Sequence, residues 1–425
     1  MDSKITRFIR KGIRYSYLHL WQYRTIERVH LRRVAQVAAR GKARVVILAM
    51  SVPMWRYQHL YEELSPDERF EVKVVLSPCL NLESEHQRAD LQGMREYLNR
   101  RNVSYHDFNL DTFTGYDFTE FDPDIVFYPQ PYEHLLCPEH DCLRHYDRLL
   151  CYYPYTFMLG NGKFFYNFHF HNLAWRLYYT NEQILQEAQK TAWNRGRNVR
   201  IVGYPTADDF SKPTFSDPWR VINDGRPRKR LIWAPHFSID SRFGIIGRSN
   251  FLWMAHFMLD VAQRYKEFLQ IAFKPHPRLL SELYNHPEWG PEKTDAYYRM
   301  WDEMENTQLE LGDHVDLFMT SDAMVHDSGS FVIEYFYAHK PVMYVSRQLE
   351  YFLTEQTDFA REAYSKLYIG TCEREILDFI DTSVLGGEDP RRDEREQFFD
   401  RYLRPPGGKT VAELTRDDLV ASLGL

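Results

Sequence analysis

Short runs of β-branched and aromatic residues alternate with amphipathic stretches twice along this chain, and that alternation limits the fold more than any other feature. The first series runs VVILAM (45–50), FEVKVVLSP (70–78), VSYHDF (103–108), DPDIVFYPQP (122–131), RLLCYYPY (148–155) and LAWRLYYTNE (173–182). Helical patterns lie between them, in QHLYEELSP (58–66), ADLQGMREYLNRRN (89–102) and QILQEAQKTAWNRG (183–196). Strands apolar on both faces need cover on both, and a parallel sheet with helices on each side supplies it. VRIVGYPTADDF (199–210) closes the series, and SKPTFSDPWRVINDGRPRK (211–229), with three prolines and mixed charge, reads as a linker. A second series follows: RLIWAP (230–235), a helix in NFLWMAHFMLDVAQRYKE (250–267), LQIAFKPHP (269–277), a helix in TDAYYRMWDEMEN (294–306), VDLFMTS (315–321) as a strand, AMVHD (323–327), a helix from about Ser330, and PVMYVS (341–346). We read two doubly wound α/β domains, 42–210 and 230–425, with a cleft between them and the last helix free to pack back on the first domain.

Length and charge agree with this. A chain of 425 residues suits two domains, and a net charge of −7 argues against a general nucleic-acid binder. Five cysteines are scattered without a C-x-x-C pair; Cys137 and Cys142, with His140 and His145, could form a metal cluster, but free thiols in a reducing compartment are the simpler reading. No run of 18 uncharged apolar residues marks a membrane span and no signal peptide is visible. Residues 1–41 form a basic amphipathic segment: ten Arg and Lys against two acids, Asp2 and Glu27, with Phe8, Ile9, Ile13, Tyr17, Leu18 and Trp21 at helical spacing. Such a helix can lie on an anionic membrane surface, or pack on its own domain or a partner.

Three strand ends of the second series stop at polar or ring-bearing residues: IWAPHFSI (232–239), AFKPHPRL (272–279) and VHDSGSF (325–331). Ligands of open α/β sheets bind beyond the carboxyl ends of the strands, so the three would converge on one pocket. Ser328, Gly329 and Ser330 precede a helical pattern. Serine caps helices, glycine permits close backbone approach, and free amides favour phosphate; simple capping without a ligand explains the same residues. Glu334, one turn further, either reaches a ribose hydroxyl or merely favours the helix start. In KPHPRL two prolines stiffen the backbone around His276, and Lys274 and Arg278 suit a diphosphate. His236 stands similarly in APHF. His169 and His171 alternate in FHFHN, where structural roles compete with a ligand-facing one. No metal is required by this pattern, and Mg²⁺ is compatible with it.

At these motifs the sequence resembles the CDP-glycerol glycerophosphotransferase-like proteins, which include teichoic-acid primases and polymerases and capsule-locus relatives. RIVGYPTADDF, RLIWAPHFSI, IAFKPHPRL, LFMTSDAMVHDSGSFVIEYFYAHKPVMYV and QFFDRYLRPPGGKTVAEL occur in the family's order, over about residues 150–415. The resemblance implies a GT-B fold of two Rossmann-like domains, the donor held mainly by the C-terminal one. It implies transfer of glycerol or ribitol phosphate from a CDP-linked donor to a hydroxyl of a cell-surface glycan or lipid-linked acceptor, with CMP released, and a peripheral place on the cytoplasmic membrane face. In the family's S-D-x-x-x-x-D-x-S-S motif, Asp327, Ser328 and Ser330 match, while Gly329 replaces the first serine of the pair. By resemblance Ser328, Gly329 and Ser330 hold the donor diphosphate and His276 matches an essential histidine; Asp327 and, on the reading of the residues above, Lys274, Arg278 and Glu334 complete the donor side. The family's W-H-G-T-P histidine has no counterpart in CYYPYTFMLG (151–160). His236 is then the candidate base, with His169, His171 and Tyr155 on the acceptor side. Two rival readings remain: a nucleotide-sugar glycosyltransferase on the same fold, and a membrane-associated scaffold without catalysis.

Overall fold

The apolar runs form two all-parallel sheets. The computed structural model describes residues 23–118, 120–132, 135–239 and 249–425. β1 (Ala43–Ala49), β2 (Phe70–Leu76), β3 (Tyr105–His106), β4 (Ile125–Tyr128), β5 (Leu149–Tyr152), β6 (Arg176–Tyr179) and β7 (Val199–Ile201) pair in the order β3-β2-β1-β4-β5-β6-β7. β8 (Lys229–Ala234), β9 (Leu269–Phe273), β10 (Thr307–Leu309), β11 (Ala323–His326), β12 (Val342–Val345) and β13 (Tyr368–Gly370) pair in the order β10-β9-β8-β11-β12-β13. In both, the first strand lies between the second and the fourth. That is the doubly wound order, and it makes a switch point where the crossovers leave in opposite directions. In the second sheet the switch point lies between β8 and β11, which pair from Leu231 with Ala323 to Ala234 with His326.

The chain divides into two units. One takes residues up to Asp208 together with Leu403–Leu425; the other is Asp209–Tyr402. In the first, the strands' continuous apolar runs follow from burial on both sides: residues 45–48 of β1 are wholly inaccessible. The helix Val411–Leu423 belongs to this unit and buries Val411, Ala412, Leu419 and Leu423. Its start is fully capped. Thr410 accepts from the N–H of Glu413, whose carboxylate accepts from Thr410 N–H, and the Asp208 carboxylate accepts from Val411 N–H (2.8 Å) and Ala412 N–H (3.0 Å). The four free amides that open any helix are largely accounted for this way.

Of the basic N-terminal segment, residues 1–22 lie outside the described residues, including the six apolar positions named above. The rest is a helix over 23–40 that packs on its own unit. Ile26 and Val37 are buried, and Arg33 and Arg40 join Arg44 around the sealed carboxylate of Asp124. Arg24, Arg28, Leu31 and Arg32 face solvent.

In the second unit, the helix Phe251–Arg264 buries Phe251, Met254, Ala255, Met258, Val261 and Ala262, the i, i+3, i+4 stripe of a sheet-covering helix. They meet Trp233, Phe273, Tyr297 and Trp301 in one aromatic core, with Trp233 stacked between Phe251 (5.9 Å) and Phe273 (4.9 Å). Two elements differ from expectation. VDLFMTS forms the helix Val315–Thr320, because Val315 and Phe318 share one buried face and the Thr320 hydroxyl bonds back to Asp316 O (2.6 Å). The helix after Ser330 is one turn, Phe331–Glu334, tightening into a 3-10 turn over Tyr335–Ala338.

Candidate functional site

Three strand ends of the second unit meet where the fold predicts a ligand. Pro235 follows β8, and its missing N–H ends the ladder. The chain there is nevertheless gripped on both sides. Pro235 O accepts from His276 N–H (3.0 Å) beyond β9, and His236 N–H donates to the Asp327 carboxylate (2.6 Å) beyond β11. The two imidazoles come to 5.0 Å between ring centres, nearly edge to face, with Phe237 beside both (4.2 Å and 4.6 Å). His236 Nδ1 is bonded to the Ser238 hydroxyl (2.8 Å), and His276 Nδ1 accepts from Arg278 N–H (3.1 Å). Arg278 lies over the Phe237 ring at 4.1 Å and pairs with Glu282 at 3.0 Å.

Burial, then the neighbouring His276 and Arg278 charges, depress His236 to about 3; burial, then Arg278, depress His276 to about 4. Both rings are therefore neutral at pH 7 and can accept a proton. A bound phosphate would raise both, since an opposite charge favours the protonated form.

The loop beyond β11 is built differently from a capped helix. Ser330 stands at the cap position in helical geometry and makes no side-chain cap bond, so the expected N-cap is absent. Instead the N–H groups of Ser328, Gly329 and Ser330 meet no protein acceptor among the described residues. A Cβ placed on Gly329 would touch nothing within 4 Å. The Ser328 and Ser330 hydroxyls lie 3.3 Å apart. A run of amides without protein acceptors is a ready anion cradle even without a long helix behind it.

Three of the expected ligand-binding side chains are turned elsewhere. The Asp327 carboxylate is buried and accepts from the N–H groups of His236 and Asn250, and from the Asn250 side chain (3.3 Å). Burial pushes it up to about 6 against those donors, leaving it ionised at pH 7. A carboxylate so placed repels phosphate and serves as a clamp on the His236 backbone. Lys274 is buried, with Nζ on Gly312 O (2.7 Å), and burial lowers its pKa. Glu334 pairs with His314 Nε2 at 3.1 Å.

The acceptor-side candidates all lie in the first unit. His171 is sealed there, its Nδ1 accepting from Phe168 N–H (3.1 Å), and burial depresses it to about 3. His169 Nδ1 bonds the Tyr23 hydroxyl (2.8 Å). Tyr155, half-buried, shares a 3.1 Å hydroxyl contact with Tyr132, and burial raises its pKa. The Cys137 cluster is internally bonded: His140 Nδ1 lies 3.1 Å from Cys137 Sγ, and Nε2 2.9 Å from Tyr116 O. Among the described residues no three His, Cys, Asp or Glu are grouped to hold a metal, and no helix is long and apolar enough to cross a membrane.

Two residues of this site escaped the sequence. Asn250 bridges the Asp327 carboxylate, Val345 O (2.9 Å) and Trp253 Nε1 (3.0 Å). Its only signal was a polar residue opening an apolar helix. His326 reads as the last residue of a strand, yet its Nδ1 bonds Ser328 O (3.1 Å).

No curated protein matches the chain. The sequence profile of the family described as CDP-glycerol:poly(glycerophosphate) glycerophosphotransferase matches residues 162–414, more than half of its length. Similar solved structures include an MnaA–UDP co-structure from S. aureus (TM-score 0.55, 13% identity, 90% of this chain and 97% of that one). A UDP-GlcNAc 2-epimerase from Neisseria meningitidis bound to UDP-GlcNAc scores 0.55 at 13% identity (89% and 100%). A variant of the wall teichoic acid polymerase TagF scores 0.54 at 12% identity, covering 100% of both chains. These likenesses establish the fold as two parallel-sheet units of the GT-B kind.

Proposed function

The chain belongs to the CDP-glycerol:poly(glycerophosphate) glycerophosphotransferase family, and from that premise we propose that it moves a polyol phosphate from a CDP-linked donor to a hydroxyl of a cell-surface glycan or lipid-linked acceptor. One observation supports this reading above others. A pair of neutral imidazoles, His236 and His276, and a loop of backbone N–H groups without acceptors among the described residues lie at the carboxyl end of one sheet. Phosphoryl transfer between oxygens needs charge neutralisation and positioning more than covalent help. In this reading the amides of Ser328, Gly329 and Ser330 hold the donor diphosphate, and Arg278 adds positive charge at the rim. The acceptor oxygen attacks the β-phosphorus in line and its proton passes to His236. The bond from that phosphorus to the bridging oxygen breaks, its electron pair stays with that oxygen, and CMP leaves. His276, its pKa raised by the bound phosphates, offsets the charge that gathers on CMP. Asp327 fixes the His236 backbone, and Tyr155 and His169 are the candidates for the acceptor side. The exposed Arg24, Arg28 and Arg32, beside exposed Leu31, support a peripheral place on the inner face of the cell membrane.

Incubation with CDP-glycerol, CDP-ribitol and a panel of UDP- and CMP-sugars tests the reading. CMP release from a CDP-polyol, dependent on acceptor, is the expected result. Turnover of a nucleotide sugar alone would replace this reading with a glycosyltransferase; tight CDP binding without turnover would indicate a scaffold.

A further inference from the structure

His326 is almost wholly inaccessible at the end of β11, its ring edge-on to Tyr344 at 5.4 Å. Its Nδ1 lies 3.1 Å from the Ser328 carbonyl oxygen. A carbonyl only accepts, so Nδ1 carries the proton and Nε2 presents a bare lone pair. Nε2 is buried and has no hydrogen-bond partner among the described residues. An unmet lone pair in the interior weakens the fold, so an apolar ring would serve packing better here. What histidine adds is the bond to Ser328 O. In a trans peptide the C=O of one residue and the N–H of the next point in opposite directions. Drawing Ser328 O inward therefore drives Gly329 N–H outward. Among the described residues that N–H meets no acceptor, and a Cβ on Gly329 would meet nothing within 4 Å.

We propose that His326 is a positioning residue for the donor diphosphate: by holding the Ser328 carbonyl inward from Nδ1, it presents the Gly329 N–H to the phosphate. The inference rests on the reading of this loop as the phosphate cradle. It also explains how a glycine can stand where the related motif has a serine. The useful group there is the main-chain N–H, and His326 fixes its direction where glycine alone would let the peptide turn.

Asparagine and glutamine separate this role from packing. The amide nitrogen of asparagine is attached at the same γ atom as Nδ1 and can keep the bond to Ser328 O; that of glutamine lies one atom further out, where Nε2 is. The affinities of CDP, cytidine and inorganic pyrophosphate are measured by calorimetry on the full chain. The Gly329 amide signal is followed in glycine-labelled protein, identified by its loss in Gly329→Ala. We expect His326→Gln and His326→Leu to weaken CDP and pyrophosphate by about tenfold or more, the loss of one well-aligned bond to a charged group, and His326→Asn to restore most of it. Cytidine affinity stays unchanged, and pyrophosphate shifts the Gly329 signal in the wild type and in His326→Asn but not in His326→Gln. Equal CDP affinity in the Asn and Gln variants, or equal losses for cytidine and CDP, would overturn the proposal. If His326→Leu does not fold, the Asn–Gln comparison decides alone. A wild type that binds pyrophosphate through Gly329 but neither binds nor turns over a CDP-polyol would sink the functional reading and leave the positioning role standing. A Gly329 signal indifferent to pyrophosphate would sink the positioning role itself.

Discussion

A histidine buried beside a second histidine and an arginine stays neutral well into acid, and that has a kinetic signature. If His236 is the base, kcat/KM for CDP-polyol turnover falls only when its neutral form is lost. As pH drops, His276 protonates first, near 4, and His236 loses its neutral form only near 3. CMP release measured from about pH 5 to pH 7.5 should therefore show no acid limb from these groups, whereas a solvent-exposed histidine would impose one near its ordinary 6.5. Asp327, raised to about 6, titrates in the same window, so a limb centred there that persists in Asp327→Asn would contradict the assignment. His276→Ala should lower kcat by about 10²- to 10⁴-fold, the usual contribution of a positioned proton-transfer or charge-neutralising group, with thermal melting within a few degrees of the wild type. Turnover close to wild type in that variant would remove His276 from the mechanism.

The helix Val411–Leu423 shows how much one element can depend on distant chain. Its first amides rest on Asp208, and Asp418 on its outer turns gathers Arg176 (3.1 Å), Arg200 (3.2 Å) and the Tyr178 hydroxyl (3.0 Å). Asp208→Ala should cost about 1–2 kcal/mol of the first unit's stability, the range for a lost cap, read as an earlier urea transition. An unchanged transition would mean that solvent replaces the carboxylate freely. Strands such as β1 and β8 were legible because burial on both faces leaves an uninterrupted apolar run. The edge strands β10 and β13 were not, since three residues with one side unpaired carry almost no pattern. VDLFMTS misled because Val315 and Leu317 mimic a strand's alternation over too short a length. The site was legible as interruptions at strand ends, in APHF, KPHP and VHDSGS. The direction of each side chain was not, because it is set by partners far along the chain: Gly312 for Lys274, His314 for Glu334, Asn250 for Asp327.

Both units should weaken on the acid side of neutrality. His171 in the first unit, and His236 and His326 in the second, are depressed by burial from 6.5 to about 3. Above pH 6.5 neither the folded nor the unfolded state protonates them. Below it only the unfolded state does, so stability declines as pH falls from about 6.5 toward 3, by up to about 1.4 kcal/mol per pH unit for each ring. Asp327 acts in the opposite sense between its ordinary 3.8 and about 6, where the folded state keeps a proton that the unfolded state releases, and so offsets part of the second unit's loss. Urea midpoints recorded at pH 7, 6 and 5 should fall stepwise in both units; constant midpoints would show that the rings titrate freely in the native protein.

The first unit is made of two stretches of chain with the second unit inserted between them. Translation runs from the amino terminus, so the inserted unit can mature on the ribosome while the earlier-made sheet still lacks the helix that covers it. Until the helix Val411–Leu423 emerges, Arg176, Tyr178 and Arg200 on that sheet lack Asp418, and this face stays open to chaperones and to other nascent chains. The earlier-made unit is therefore completed after the later one.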